Sequence, residues 1–439
     1  MSLKPVNVGL LGLGTVGIGT LKVLARNDGE IARRAGRGIR VTHASARDLS
    51  KPRDHDLEGI SLCADPLDVI KAPSVKVVVE LIGGVNKARE LVLAAIAQDK
   101  HVVTANKALL ALHGAEIFEA AQNKGVVVAF EAAVAGGIPV IKAIREGLAG
   151  NRIEWLVGII NGTSNYILTQ MQEAGREFAD VLKEAQDRGY AEADPTFDIE
   201  GIDAAHKLTI LASIAFGIPL DFDRLSIEGI SHVNARDILY ARELGYRIKH
   251  LGIARRRPEG IELRVQPALL NERELLAGVN GVMNAVMVKG DAAGPTAYYG
   301  AGAGSEATAS AVVADLVDVV RTLTTDPHNR VPHLAFQPNA INPLPVLDSR
   351  DYLSAYYLCL QAVDKPGVLA QIAKVLAEHE ISIEAIRQQE PKPGAADVDV
   401  VILTGAVREG RMLDAQRALE SLESVSGDIT RLRVEHFEN

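Results

Sequence analysis

Between positions 189 and 208 the chain reads Gly189-Tyr190-Ala191-Glu192-Ala193-Asp194-Pro195-Thr196-Phe197-Asp198-Ile199-Glu200-Gly201-Ile202-Asp203-Ala204-Ala205-His206-Lys207-Leu208. Five carboxylates fall within residues 192–203, and Lys207 follows Asp203 by four positions. On a helix that spacing puts the two side chains on one stripe, a turn apart. Such a cluster can bind the ammonium group of a ligand while holding one lysine protonated beside a carbonyl. Read more plainly, the same residues make a capped helix with an exposed ion pair worth a few tenths of a kcal/mol. Pro195 disfavours helix at Asp194, so Tyr190–Asp194 is expected to be an extended loop. From Asp198 onward the spacing is helical, with Ile199, Ile202 and His206 on one apolar stripe, where a histidine reads as core.

A second lysine stands in Thr104-Ala105-Asn106-Lys107, just after the strand-like run His101–Thr104. Doubly wound sheets bind ligands at the carboxyl ends of their strands. Lys107 at that place is either a surface residue or a catalytic one, and Asn106 either positions a ligand or starts the next helix. Near the N-terminus, Gly12-Leu13-Gly14-Thr15-Val16-Gly17 is G-x-G-x-x-G, directly after the apolar run Val6–Leu11. Glycines there permit a tight turn and let backbone N–H groups approach a pyrophosphate at the helix N-terminus. A dinucleotide is therefore expected on Gly12, Leu13, Gly14, Thr15, Val16 and Gly17, the plain alternative being a Gly-rich turn in a sheet that binds nothing.

At the end of the second strand a carboxylate would hold a ribose 2′-hydroxyl, whereas a guanidinium accommodates a 2′-phosphate. The sequence has Arg47 first, then Asp48, with Lys51 and Arg53 close behind. NADP(H) is favoured; Asp48 keeps NAD(H) open, and a solvated basic loop is the plain alternative. Gly300-Ala301-Gly302-Ala303-Gly304 either brings backbone, Gly302 in particular, close to a cofactor or serves helix packing.

These residues must be placed by three bodies. Residues 1–135 alternate β-branched runs (6–11, 39–46, 75–82, 101–104, 126–130) with amphipathic stretches such as 88–98, the pattern of a Rossmann-type α/β domain. Residues 136–336 read as a mixed α+β domain, with strand-like runs at 153–160, 251–256, 261–267 and 284–290. A helix near 300–325, with its start at Gly300, would complete the first domain. Residues 337–351 carry three prolines and two asparagines and read as a linker. Residues 352–439 then read β-α-β-β-α-β, a ferredoxin-like order, with strands at 356–363, 381–388, 398–404 and 428–435 and helices at 367–379 and 409–422.

With 439 residues the chain exceeds a single core, and its 47% hydrophobic content excludes disorder. The net charge of −9 gives no general attraction for nucleic acid. It is unevenly spread: residues 1–53 are rich in Lys and Arg, and residues 351–439 in Asp and Glu. No apolar run is long enough to span a membrane, and Met1-Ser-Leu-Lys opens no secretory signal, so a cytoplasmic protein is expected, with Cys63 and Cys359 as two buried reduced thiols rather than one long-range disulfide.

The run G-Y-A-E-A-D-P-T-x-D-I-x-G-x-D-A-x-x-K-L resembles the homoserine dehydrogenase signature. The resemblance extends along the chain through GLGTVG at 12–17, ANK at 105–107, FEAAVAGGIP at 130–139 and NGTSNYIL at 161–168. It implies reversible hydride transfer between L-homoserine and L-aspartate 4-semialdehyde, on the path to threonine, methionine and isoleucine. With no kinase segment before the glycine motif, the monofunctional form is expected. By matching position, Lys207 would hand a proton to and from the substrate oxygen, with Lys107 assisting and Asp203 orienting substrate or a water. Glu192 and Tyr190 would hold the amino-acid end, with Thr163 nearby and Asp198 matching a further acidic position. The resemblance also implies a structural Na⁺ on the main-chain oxygens of Glu131, Val134, Gly136 and Ile138; the residues alone read as a turn into a helix at Pro139.

Val363-Asp364-Lys365-Pro366-Gly367-Val368-Leu369 resembles the D-x-P-G-x-L opening of an ACT domain. That implies amino-acid binding between paired copies and feedback control, L-threonine being the first candidate effector, or pairing alone. The family implies a homodimer or homotetramer. Two other readings compete. A 2-hydroxy-acid dehydrogenase would rely on a His–carboxylate pair and a substrate-binding Arg. A catalytically silent amino-acid sensor has no need of both lysines.

Overall fold

The computed structural model describes residues 3–323, 330–342, 344–388 and 397–437. Pro343 of the expected linker, and residues 324–329, 389–396 and 438–439 of the expected domains, lie outside the described residues. The chain divides into two compact units. The first takes Met1–Leu156, Ala205–Asp223 and Asn284–Leu344; the second takes Val157–Ala204, Arg224–Met283 and Pro345–Asn439.

In chain order the strands are β1 (Val6–Leu11), β2 (Ile39–Ser45), β3 (Ser61–Cys63), β4 (Val77–Glu80), β5 (His101–Thr104), β6 (Val128–Ala129) and β7 (Ile153–Ile159). They continue as β8 (Ser226–Ile227), β9 (Tyr246–Arg256), β10 (Ile261–Asn271), β11 (Met283–Gly290) and β12 (Gly294–Ala301). The last are β13 (Leu353–Val363), β14 (Ile383–Gln388), β15 (Asp397–Thr404), β16 (Val407–Arg408) and β17 (Val425–Glu435).

In the first unit β3-β2-β1-β4-β5-β6 form a parallel sheet, the strand order of a doubly wound nucleotide fold. Parallel strands covered on both faces are continuously apolar, and Val77, Val78 and Val79 are fully buried. The strand expected at 75–82 is shorter because Glu80 turns its carboxylate onto the N–H of Ile82 and ends the ladder. The one expected at 126–130 is shorter because side chains of His101 and His333 take the N–H groups of Val127 and Val128. Val8, Leu10, Leu21, Leu24, Val312 and Leu316 share one core cluster, so the helices Thr15–Arg26 and Ser305–Thr322 pack on the same sheet. Their contact needs Gly19, where a Cβ would meet the Ser305 carbonyl oxygen at 2.7 Å. The helix expected to start at Gly300 starts at Ser305 instead. Gly300 and Ala301 finish β12, and Gly304, at φ +128, makes the turn between them.

In the second unit β9 and β10 are an antiparallel pair in register from Tyr246↔Asn271 to Arg256↔Ile261. That pairing carries both strands beyond the expected 251–256 and 261–267, past Pro267 to Asn271. The C-terminal β-α-β-β-α-β order is present, with strand order β17-β13-β15-β14. Helices Val368–Glu378 and Glu409–Glu420 cover it through Ile372, Leu376, Met412 and Leu419, packed on Tyr356, Leu358 and Leu360. This sheet continues into β10, because β17 pairs in parallel with it from Ala268↔Arg433 to Leu270↔Glu435. Arg433 is buried there between Glu409 Oε2 (Nε, 2.8 Å) and Glu228 Oε2 (2.8 Å). Cys63 and Cys359 are free thiols; Cys359 is buried as expected, whereas Cys63, on the short strand β3, is only half-buried. Among the described residues no helix is long and apolar enough to cross a membrane.

Candidate active site

The nucleotide motif occupies the first unit. Gly12 leaves β1 at φ +101, and a Cβ there would lie 2.7 Å from the carbonyl oxygen of Leu81. A Cβ at Gly17 would lie 2.2 Å from the Gly12 carbonyl oxygen, so neither position admits a side chain. Gly14 stands before the helix Thr15–Arg26 with open space at its Cβ position. As glycine it brings no capping side chain, which leaves the first N–H groups of Thr15 and Val16 for a ligand. Gly12, Leu13 and Gly14 line a cleft of about 650 Å³ whose other wall carries Arg47, Asp48, Lys51, Arg53, Gly83 and Lys87.

The basic loop is organised from within. Asp48 Oδ1 accepts from Ser50 Oγ (2.6 Å) and Ser50 N (2.9 Å), and these bonds hold its carboxyl below the usual range. Arg53 is committed to main-chain carbonyls, donating to Asp48 O (2.6 Å) and Lys51 O (2.8 Å). It shapes the loop, while Arg47 and Lys51 are exposed on the cleft wall.

At the carboxyl ends of β4 and β5, buried Glu80 accepts from Thr104 Oγ1 (2.7 Å) and Ile82 N (2.8 Å). Burial pushes this carboxyl up, against those bonds. Asn106 caps the helix Lys107–Lys124 by accepting from Leu109 N, and it donates to Gly84 O at 2.6 Å. Lys107 is therefore the first residue of a capped helix, half-buried. Sequence reasoning put Glu80 inside the apolar run 77–82 and gave it no role, although a lone acid within such a run was the signal.

The carboxylate segment differs from the expected continuous helix. Thr196–Ile199 is one short turn, Gly201 at φ +82 breaks it, and a new helix runs Ile202–Phe216. Gly201 is required because a Cβ would meet Val265 Cγ1 at 3.0 Å and the His250 ring at 3.2 Å. Ile199 is thus off the stripe that Ile202 and His206 share. His206 is buried with its ring 4.6 Å from that of Phe222, a core packing as expected. Asp203 is 5% exposed, which corrects the reading of a solvated ion pair.

Asn161 holds the cluster together. Its Nδ2 donates to Asp198 Oδ1 and Asp203 Oδ2, each at 2.8 Å, while its Oδ1 caps the helix Gly162–Ala174 through Ser164 N. Thr163 Oγ1 donates to the Tyr190 carbonyl (2.7 Å), which brings those two expected residues together. Tyr190 is 42% exposed, edge-on to Tyr166 at 5.0 Å. Gln186 Nε2 donates to the carbonyls of Glu192 (3.1 Å) and Ala193 (3.3 Å), so the non-helical loop after Tyr190 is shaped and presents an exposed Glu192. Lys207 is half-buried one turn along the helix from Asp203. Asn161 was missed as a functional residue, although an Asn opening a helix is a familiar cap signal.

In the first unit, the 130–139 segment is bent by two successive left-handed residues, Ala135 (φ 55) and Gly136 (φ 52). A Cβ on Gly136 would lie 2.5 Å from the Gly302 carbonyl oxygen, and Gly137 N donates to Ala301 O. Gly302 in turn rests on Asn284, whose Oδ1 a Cβ would meet at 1.5 Å. The Glu131 carboxylate accepts from Ile141 N and Lys142 N, capping the helical turn after Pro139; burial pushes it up.

The family model of the homoserine dehydrogenase NAD-binding domain matches residues 12–131, that of homoserine dehydrogenase residues 139–317, and that of the ACT domain residues 357–421. The homoserine dehydrogenase of Pseudomonas aeruginosa is 63% identical, over 99% of this chain and 100% of its own. The chain belongs to the homoserine dehydrogenase family. As a homoserine dehydrogenase it is an oxidoreductase whose NAD-binding domain takes a nicotinamide cofactor. The crystal structure of a homoserine dehydrogenase from Thiobacillus denitrificans superposes with a TM-score of 0.94 at 60% identity, covering 99% of each chain. A hyperthermophilic archaeal homoserine dehydrogenase solved in complex with NADPH matches with a TM-score of 0.62 at 25% identity, over 74% of this chain and 100% of that one.

Proposed function

We propose that the chain interconverts L-homoserine and L-aspartate 4-semialdehyde with NADP(H) as the preferred cofactor. The observation that carries the site assignment is the Asn161–Asp198–Asp203 constellation, with Asn161 and Asp203 buried and Asp198 half-buried, and Lys207 following Asp203 by one turn. The nicotinamide, when bound, accepts or supplies the hydride at substrate C4. Lys207 gives a proton to the substrate oxygen in reduction and takes it back in oxidation, with its charge facing the developing alkoxide. Lys107 assists at the same oxygen. Asp203 orients substrate or a water beside Lys207. The exposed Glu192 carboxylate and Tyr190 hold the amino-acid end, Thr163 fixes their loop, and Asp198 completes the acidic set.

The glycine cradle at Gly12, Gly14 and Gly17 fits a pyrophosphate, and Arg47 with Lys51 would hold a 2′-phosphate. Asp48 is engaged by Ser50, which favours NADP(H) over NAD(H). The NADPH bound to the archaeal relative agrees with that preference. Gly302 would lie against the cofactor. The left-handed turn at Ala135 and Gly136 suits a structural Na⁺ on the carbonyl oxygens of Glu131, Val134, Gly136 and Ile138. The ACT segment binds an amino-acid effector, L-threonine, in a homodimer or homotetramer of a cytoplasmic enzyme. Edge strand β12, with Tyr299 61% exposed, is suited to self-association.

The deciding experiment is oxidation of L-homoserine followed by absorbance of the reduced cofactor, with NADP⁺ and NAD⁺ in parallel. Turnover with a higher kcat/KM for NADP⁺ is expected. Equal or better use of NAD⁺ removes the preference, and no turnover with either removes the reading.

A further inference from the structure

Asn161 is 5% exposed and its polar atoms are divided between two tasks. Oδ1 accepts the N–H of Ser164 at 2.8 Å, capping the helix Gly162–Ala174. Nδ2 donates to Asp198 Oδ1 and to Asp203 Oδ2, both at 2.8 Å. A side-chain amide nitrogen carries two hydrogens, so each carboxylate receives one. The opposite amide orientation would turn an oxygen toward two carboxylates and an NH₂ toward a backbone N–H, so the surroundings allow only this one.

Two carboxylates that share one nitrogen as a partner repel each other. Without a common donor, such a pair relieves the repulsion by retaining a proton, which raises one of its titrations. We propose that Asn161 is a positioning residue for the homoserine dehydrogenase reaction, its amide keeping Asp198 and Asp203 ionised together and in fixed orientation ahead of Lys207. This rests on the proposed roles of Asp203 and Lys207. The titratable groups of the second unit around the pair are Glu200 before the Gly201 break, His250 on β9, Glu228 and His232 on the loop after β8, and Tyr190 and Glu192 on the loop tied to Thr163, while His206 and Lys207 follow Asp203 in sequence along the helix. Burial pulls His250 down to about 4, so it stays neutral across the working range. His232 lies 3.7 Å from Glu228 and is partly exposed.

The test separates the cap from the bridge. Asn161→Asp keeps an oxygen for Ser164 N and replaces the bridging NH₂ with a third carboxylate oxygen. Asn161→Ser also caps well and offers a single short donor. Reduction of L-aspartate 4-semialdehyde by NADPH is measured across pH, since in that direction the acid limb of kcat/KM reports the carboxylates. The acid limb is expected to move up by about one pH unit or more in both variants, with kcat at neutral pH down roughly tenfold or more and NADPH affinity within twofold. Acid limbs superimposed on the wild type in the soluble variants overturn the inference; if Asn161→Asp does not fold, the limb of Asn161→Ser decides. Asp203→Asn and Lys207→Ala are run alongside. If they keep full turnover, the site assignment has failed. If they lose turnover while the Asn161 limbs stay unmoved, only the bridge has failed.

Discussion

The backbone of Gly12 passes Leu81 so closely that a Cβ at Gly12 would lie 2.7 Å from the Leu81 carbonyl oxygen. β1 and β4 are neighbours in the parallel sheet, and the chain turns from one into the helix Thr15–Arg26 directly past the end of the other. At φ +101 a non-glycine residue is strained as well as crowded. Gly12→Ala is therefore expected to cost on the order of 1–3 kcal/mol in local strain and to displace the cradle. The measurement is NADPH titration by fluorescence, with affinity reduced at least tenfold. Unchanged affinity would mean that the cofactor does not use this turn.

The basic loop supports a second prediction. Arg53 is tied to carbonyls and Asp48 to Ser50, so Arg47 and Lys51 are the cations this loop offers to the cleft. Arg47→Ala should raise KM for NADP⁺ about tenfold and leave KM for NAD⁺ within twofold, since a charged hydrogen bond to the 2′-phosphate is worth about 1.5–3 kcal/mol. Kinetics with both cofactors at fixed ionic strength check it. Equal effects on the two would show that Arg47 does not read the 2′ position.

Two histidines make the first unit acid-sensitive. His101 Nδ1 accepts from Val127 N and His333 Nε2 from Val128 N, so both rings must present a bare nitrogen to the β6 backbone. Burial, with Arg330 adding to it, pulls His101 down to about 4. Burial, with Arg145 and Arg330 adding to it, does the same for His333. The unfolded rings take protons at about 6.5, so between the two values the unfolded chain binds more protons and stability rises with pH. This contribution is complete above pH 6.5 and is lost as pH falls toward 4. His333→Gln, which can still offer an oxygen to Val128 N, should flatten the slope of chemical-denaturation stability between pH 6.5 and 4. An unchanged slope would contradict it.

Much of this architecture is legible in the sequence. β1 and β5 have the expected bounds, and the C-terminal segment has the expected β-α-β-β-α-β order of its long strands and helices. Local periodicity carried those elements because each repeats the same environment over several residues. It could not reveal the break at Gly201, which comes from the packing of His250 and Val265 some fifty residues later. Nor could it show that β17 would join β10, since a strand's neighbour is set by tertiary pairing. Within the proposed site, the acids and lysines stood out by type and spacing. Asn161, Glu80 and the burial of Asp203 were not, because what matters about them is which distant groups they touch.

The junction between β17 and the rest of the second unit has its own pH signature. Burial would raise Glu409, but Arg433 and Arg431 beside it bring its carboxyl below the usual range. The pair therefore adds stability above the unfolded pKa of about 4.3, and this is lost as pH falls through the lower folded value. Arg433→Met removes one partner of a buried pair and should cost about 3–5 kcal/mol at pH 7. The companion Glu409→Gln/Arg433→Met should recover part of it. Denaturant titration checks both, and a loss under 1 kcal/mol for the single variant would contradict the burial of the pair.

We propose that Lys207 handles the proton on the substrate oxygen. Steady-state and cofactor-binding measurements on Lys207→Ala test it most directly. kcat for L-homoserine oxidation should fall by about 10²–10⁴-fold while NADP⁺ affinity stays within twofold. A kcat within threefold of the wild type, or loss of cofactor binding in a folded variant, would contradict it.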